Sequence, residues 1–172
     1  MESLSIISQN LGANPSVFSK SKSQIGHKDY MTGRVVRDDI LREYMEWYDA
    51  DIYAFQNAPL AGNRSKAFTG FRVRPDELRK YRGAESDHDV KAIWREAFPW
   101  IEFKSGYWME KKVEFDGEEI IIINYHCASN YSVQLRYILL KRLDQESILD
   151  KCVILLGDFN TVFNFQTERV IK

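Results

Sequence analysis

In four places, polar and chemically capable side chains close an apolar run. Ile6-Ile7 leads into Ser8-Gln9-Asn10, and Tyr53-Ala54-Phe55 leads into Gln56-Asn57. Ile120–Ile123 leads into Asn124-Tyr125-His126, and Val153–Leu156 leads into Gly157-Asp158-Phe159-Asn160. Together these ends hold a carboxylate, an imidazole and several carboxamides. A carboxylate and an imidazole can each take up or release a proton. Amide oxygens can complete the shell of a hard cation. Taken singly, each residue has an ordinary structural reading. Asn10 could cap a turn, His126 could be a satisfied core histidine, Asp158 could close a strand, and Asn57 before Ala58-Pro59 could serve a turn. Four such ends in one chain point to a shared cleft, because α/β folds place their sites at strand ends.

The elements that must carry these ends follow from periodicity. Leu4–Leu11 reads as a buried strand stopping at Gly12, and residues 12–33 as a long loop rich in Ser, Lys, Gly and Asn. A helix starts near Thr32, shows Val36, Ile40, Tyr44, Trp47 and Tyr48 at helical spacing, and ends near Asp49. Asp51–Gln56 is a short strand, and Asn57–Arg64, with Pro59 and Gly62, a loop. Asp87–Phe98 is an amphipathic helix. Gly106–Phe115 and Glu118–Ala128 form a hairpin across Asp116-Gly117, a strong hairpin pair. Tyr131–Leu149 reads as one long helix. Cys152–Phe159, apolar on both faces, reads as a central strand. Strand, helix and strand in alternation predict an α/β fold, and 172 residues suit one domain spanning 1–172.

Composition bounds the partners. With 44% hydrophobic and 28% charged residues and a net charge of -1, the whole molecule is no general polyanion binder. Residues 64–82 depart from that average. Arg64, Lys66, Arg72, Arg74, Arg79, Lys80 and Arg82 face only Asp76 and Glu77, with Phe68, Phe71 and Tyr81 interleaved. This suits a phosphate-backbone footprint with stacking rings, or a solvated loop and helix whose rings pack inward. Cys127 and Cys152 sit in apolar runs and read as reduced core thiols. The N-terminus carries no secretory signal pattern, and no apolar run is long enough to cross a bilayer, so an intracellular setting is expected.

Ile154-Leu-Leu-Gly-Asp-Phe-Asn160 resembles the signature strand of the endonuclease/exonuclease/phosphatase (DNase I-like) superfamily. Ile122-Ile-Asn-Tyr-His-Cys127 resembles its strand ending in Asn-x-His, and Gln134 with the leucines after it resembles the helix that follows. Ser8-Gln9-Asn10-Leu11 resembles its opening Trp-Asn strand, and Asp51-Ile-Tyr-Ala-Phe-Gln-Asn57 its strand ending Leu-Gln-Glu. The resemblance implies a four-layer α/β sandwich of two mixed sheets flanked by helices. It also implies a metal-dependent phosphoester hydrolase, foremost a nuclease-type phosphodiesterase using Mg²⁺ or Mn²⁺. On it, Asn10 and position 57 lie at the metal. His126 contacts the scissile phosphate or leaving group, Asp158 orients or deprotonates the attacking water, and Asn160 holds a phosphate oxygen or the metal shell. Arg72, Arg74, Arg79 and Lys80 are candidate contacts to a nucleic-acid substrate.

The sequence departs from that pattern twice. Asn57 stands where the family has its metal-binding Glu, which removes a full negative charge. The family's late Asp-His pair has no counterpart after Asp158, and Asp87-His88-Asp89 comes too early in chain order to replace it. The expectation is a domain lacking its C-terminal strands, whose incomplete sheet a partner or a further segment covers. Two readings remain open: a phosphodiesterase, or a catalytically degenerate module that binds nucleic acid or another polyanion through the same cleft.

Overall fold

The structure, a computed structural model, describes residues 3–10, 42–60, 63–74, 76–104 and 106–160, with the side chains of 57–60 and 63–68 excepted. The expected loop over 12–33 and the helix start near Thr32 lie outside the described residues. Residues 42–48 are helical. The other helices are α1 (His88–Ala97), α2 (Ser132–Leu143) and α3 (Glu146–Leu149).

The strands form two mixed sheets. In the first, β1 (Ile6–Asn10) runs parallel to β2 (Ile52–Leu60), which turns back into β3 (Asn63–Val73). In the second, β4 (Glu85–Ser86), β5 (Trp108–Phe115), β6 (Glu118–His126) and β7 (Cys152–Asp158) lie side by side in that order, with β6 and β7 parallel. The β5–β6 turn is as expected: Asp116 and Gly117 both have positive φ, at 53° and 77°, which gives the twist that a two-residue hairpin needs.

Side-chain alternation sorts each strand between two apolar environments. On β6, Ile121, Ile123 and Tyr125 join Val90 and Trp94 of α1 and Leu135 and Ile138 of α2. The other face, Ile120 and Ile122, meets Ile52, Ala54 and Phe71 of the first sheet, with Ile154 and Leu156 of β7 beside them. On β2, Tyr53 and Phe55 turn the opposite way, toward Tyr44 and Met45 of the helical segment. Every residue of β6 from Ile120 to Tyr125 is therefore buried, as expected where both faces of a strand are covered.

Several expectations need correction. The segment after Gln56 is not a loop: β2 continues to Leu60, and Asn63–Val73 is a strand. Pro59 is tolerated because the β2–β3 ladder shifts register on both sides of it, between Phe55 and Ala58 and between Pro59 and Leu60. The helix over 131–149 is broken after Leu143. Gln145 is extended, and its side chain and that of Ser147 are both held by the Arg142 guanidinium, at 2.7 and 2.9 Å. Among the described residues β7 ends its sheet and is half-buried, not central. Cys152, its first residue, is exposed, whereas Cys127 is buried; both are free thiols.

Candidate active site

The layer between the sheets is apolar along most of its length and turns polar at one end. Each of four strands makes the change on the same face, in steps of two: Ile6–Ser8–Asn10, Ile52–Ala54–Gln56, Ile120–Ile122–Asn124–His126 and Ile154–Leu156–Asp158. Because β1 is parallel to β2 and β6 to β7, the changes in β1, β6 and β7 fall at carboxyl ends, where open α/β sheets bind ligands, and the change in β2 falls at its bulge beside the end of β1.

Asn10 and Asp158 meet across the sheets. The Asn10 amide Nδ2 donates to Asp158 Oδ2 at 2.5 Å. The other carboxylate oxygen accepts the backbone N–H of Asn160 at 2.9 Å, which is why Asn160 bends to a positive φ of 43°. The backbone carbonyl of Asp158 accepts the N–H of Cys127 at 2.8 Å. His126 is the register partner of Asp158, so the two lie one strand spacing apart, about 4.8 Å. His126 Nδ1 lies 3.1 Å from the Gly106 carbonyl oxygen.

Beneath them lies a fully buried polar pair, Gln56 and Asn124, which belongs to the quoted strand ends but was given no role there. Asn124 accepts from Gln56 Nε2 at 2.7 Å and donates to the carbonyls of Phe55 and Gly70, at 3.0 and 2.9 Å. Those carbonyls flank the bulge in the β2–β3 ladder, and residue 57 sits in that bulge. Bulges re-aim strands beside functional sites. Here Asn124 supplies the hydrogen bonds that the interrupted ladder leaves open. Thr69, also buried, donates to the Gly106 carbonyl at 2.8 Å. The signal was present in the sequence: Gln56 and Asn124 each continue, two residues on, a strand face that is otherwise apolar, and Thr69 stands two residues before Phe71 on such a face.

Tyr125, between Asn124 and His126, turns away to the helix side, where its ring meets Trp108 and Phe159. Burial pushes its phenol far above the ordinary value, with the neighbouring Cys127 adding to the shift. It therefore stays protonated through neutral pH and cannot serve as a base.

The site thus gathers Asn10, His126, Asp158 and Asn160. It does not gather the basic residues. Arg72 pairs with Tyr53 and Val73 with Ile52, at the start of β2, roughly 10 to 13 Å along the strand from the Asn10–Gln56 pair. Arg74 is ion-paired with Asp49, Asp76 and Glu77. Arg79 and Lys80 stand exposed on the turn that follows. His88 is exposed at the start of α1.

The donor set fits a tightly held divalent cation poorly. Among the described residues no group of three or more His, Cys, Asp or Glu side chains converges. Asp158 brings the one carboxylate at these strand ends, and both its oxygens already accept hydrogen bonds. Mg²⁺ relies on carboxylate charge to offset its reluctant dehydration. Position 57 contributes an amide in this sequence, and its side chain lies outside the described residues.

No protein-family model and no curated protein matches the chain. Solved structures do. The crystal structure of D. rerio TDP2 humanized by 14 mutations has a TM-score of 0.53 at 19% identity, covering 93% of this chain and 63% of that one. The crystal structure of D. rerio TDP2 complexed with a single-strand DNA product has a TM-score of 0.50 at 18% identity, covering 92% of this chain and 61% of that one. No described helix is long and apolar enough to cross a membrane. At these identities the likeness shows the fold alone: two mixed sheets with helices, folded as in the two TDP2 structures.

Proposed function

We propose that the cleft is the phosphoester site of a DNase I-like phosphodiesterase acting on nucleic acid. The observation that carries this reading is the Asn10–Asp158 hydrogen bond, which joins the carboxyl ends of the two sheets beside His126. The four-layer sandwich belongs to the same reading. Its support is the packing of the 42–48 segment on the first sheet and of α1 and α2 on the second.

Asp158 would orient the attacking water and take its proton. A carboxylate has roughly four lone-pair sites, so two bound donors leave room for a water. The water oxygen would bond to phosphorus while the ester P–O bond opposite it breaks. Once Nε2 takes up a proton, His126 would donate from it to a phosphate oxygen or to the departing oxygen. The Asn160 amide would steady another phosphate oxygen. Mg²⁺ or Mn²⁺ enters by resemblance, and the neutral residue at 57 predicts weak binding. An intracellular place of action goes with this substrate class.

A second reading, a binding module without turnover, is favoured by the scarcity of carboxylates at the cleft. One experiment separates the two. The chain and its Asn57→Glu variant are incubated with a single-stranded DNA oligonucleotide, with Mn²⁺ and with chelator. Under the first reading, Asn57→Glu raises Mn²⁺ affinity and cleavage together, and a further His126→Gln or Asp158→Asn change removes the gain by a factor of about 100 or more. Binding without cleavage in every variant sinks the first reading and leaves the second.

A further inference from the structure

The Gly106 carbonyl oxygen receives two side chains, one from each sheet. Thr69 Oγ1, from the first sheet, donates to it at 2.8 Å. His126 Nδ1, from the second, approaches it at 3.1 Å. A carbonyl oxygen only accepts, so Nδ1 must carry the ring proton to make this bond. The next residue completes the hold: the His126 backbone N–H donates to the Tyr107 carbonyl at 2.9 Å. Segment 106–107 therefore fixes both the main chain and the ring of His126. Thr69, only 1% exposed, ties that segment to the first sheet.

We infer that Thr69 is a positioning residue for His126: through the Gly106 carbonyl it holds the neutral imidazole in its Nδ1–H tautomer and reserves Nε2 for the ligand. Its meaning for catalysis rests on the phosphoester reading above. The consequence is chemical. With Nδ1–H satisfied by a fixed carbonyl, proton uptake and release fall to Nε2, and the ring keeps its orientation in both charge states. Without that partner, a neutral imidazole favours the Nε2–H form, which leaves Nε2 no lone pair. The placement of Thr69 adds a second coupling. Phe55 pairs with Gly70 and Ala58 with Phe68, so Thr69 is the β3 residue opposite the bulge holding residues 56–57. Position 57 and the orientation of His126 are therefore set by the same irregularity.

The test is the ¹⁵N spectrum of the histidine rings in the full 172-residue chain, without substrate, at a pH where His126 is neutral. The expected wild-type pattern is a protonated Nδ1 and an unprotonated Nε2. Thr69→Val, which keeps the shape and removes the hydroxyl that holds the Gly106 carbonyl, should move the tautomer ratio toward Nε2–H by up to about five-fold, the weight of the Nδ1–H bond if the released carbonyl turns away from the ring. Thr69→Ser should match wild type. A wild-type ring protonated at Nε2 overturns the inference, and so does a Thr69→Val spectrum identical to wild type. A slowly exchanging Thr69 hydroxyl proton, close in space to the His126 ring, is sought in the wild type as well. It decides the matter should the valine variant unfold, and its absence overturns the relay. The tautomer is read without turnover, so a failed cleavage assay and a failed tautomer prediction are told apart.

Discussion

A side chain at Gly157 has nowhere to go. Its φ is +133°, and a Cβ there would sit 1.9 Å from the Tyr125 carbonyl oxygen. The glycine of Gly-Asp-Phe-Asn is thus a backbone requirement: β7 must come this close to β6 for Asp158 to stand beside His126. Gly157→Ala should cost about 3 kcal/mol or more, from forbidden backbone and main-chain overlap together. Denaturant unfolding monitored by circular dichroism measures it. A loss below about 1 kcal/mol, within the range of an unremarkable substitution, would contradict this account of the glycine.

At the level of elements, the second sheet and its helices are joined by one buried ion pair. Arg142 of α2 makes a two-pronged contact with Glu110 of β5, at 2.8 and 2.7 Å. Trp108 Nε1 donates to the same carboxylate at 2.9 Å, and Asp89 of α1 lies 3.2 Å from the guanidinium. Removing one partner strands a buried charge. Arg142→Met alone should cost about 3–5 kcal/mol, whereas Arg142→Met with Glu110→Leu should recover much of that. A double-mutant cycle in urea reads the difference, and additive losses would refute the coupling. These elements also show what the sequence makes legible. The hairpin at Asp116-Gly117 and helix α1 were plain, because turn chemistry and helical period are local. The polar strand ends were plain as well, since an apolar run that turns polar is visible in one strand. The extension of β2 and the existence of β3 were hidden, because Pro59 and the charges of 64–74 read as loop. Only the pairing of β2 with β3 makes them strand. The break after Leu143 was hidden too, because it depends on what Arg142 reaches in three dimensions. The partnership of Gln56 with Asn124 joins residues far apart in the chain, which no local pattern contains.

For the molecule as a whole, the separation between the cleft and the basic flank matters most. The cleft lies at the carboxyl ends of β1, β6 and β7 and at the β2 bulge, while Arg72 pairs with Tyr53 near the start of β2, and Arg79 and Lys80 lie on the exposed turn that follows β3. A nucleic acid touching both would have to run along one side of the first sheet. Replacing Arg72, Arg79 and Lys80 with Ala should then weaken DNA binding and flatten its dependence on log salt by about 0.7 per lost phosphate contact for a single strand. Arg74, already held by acidic neighbours, should contribute less than Arg79. Fluorescence anisotropy across a salt series measures both. An unchanged slope would confine the ligand to the cleft.

Trp108 gives these experiments an optical handle. It is fully buried, bonded to Glu110, with its ring 5.4 Å from that of Tyr125, the residue before His126. The chain has four tryptophans. Trp94 is also buried, while Trp47 and Trp100 are 84% and 79% exposed. Changing Trp47 and Trp100 to Phe should leave blue-shifted emission that resists iodide quenching, from two indoles of which Trp108 adjoins the cleft strands. Oligonucleotide arriving at His126 should then alter the intensity of that residual emission. Oligonucleotide held only by the arginine flank should leave it dark to the event.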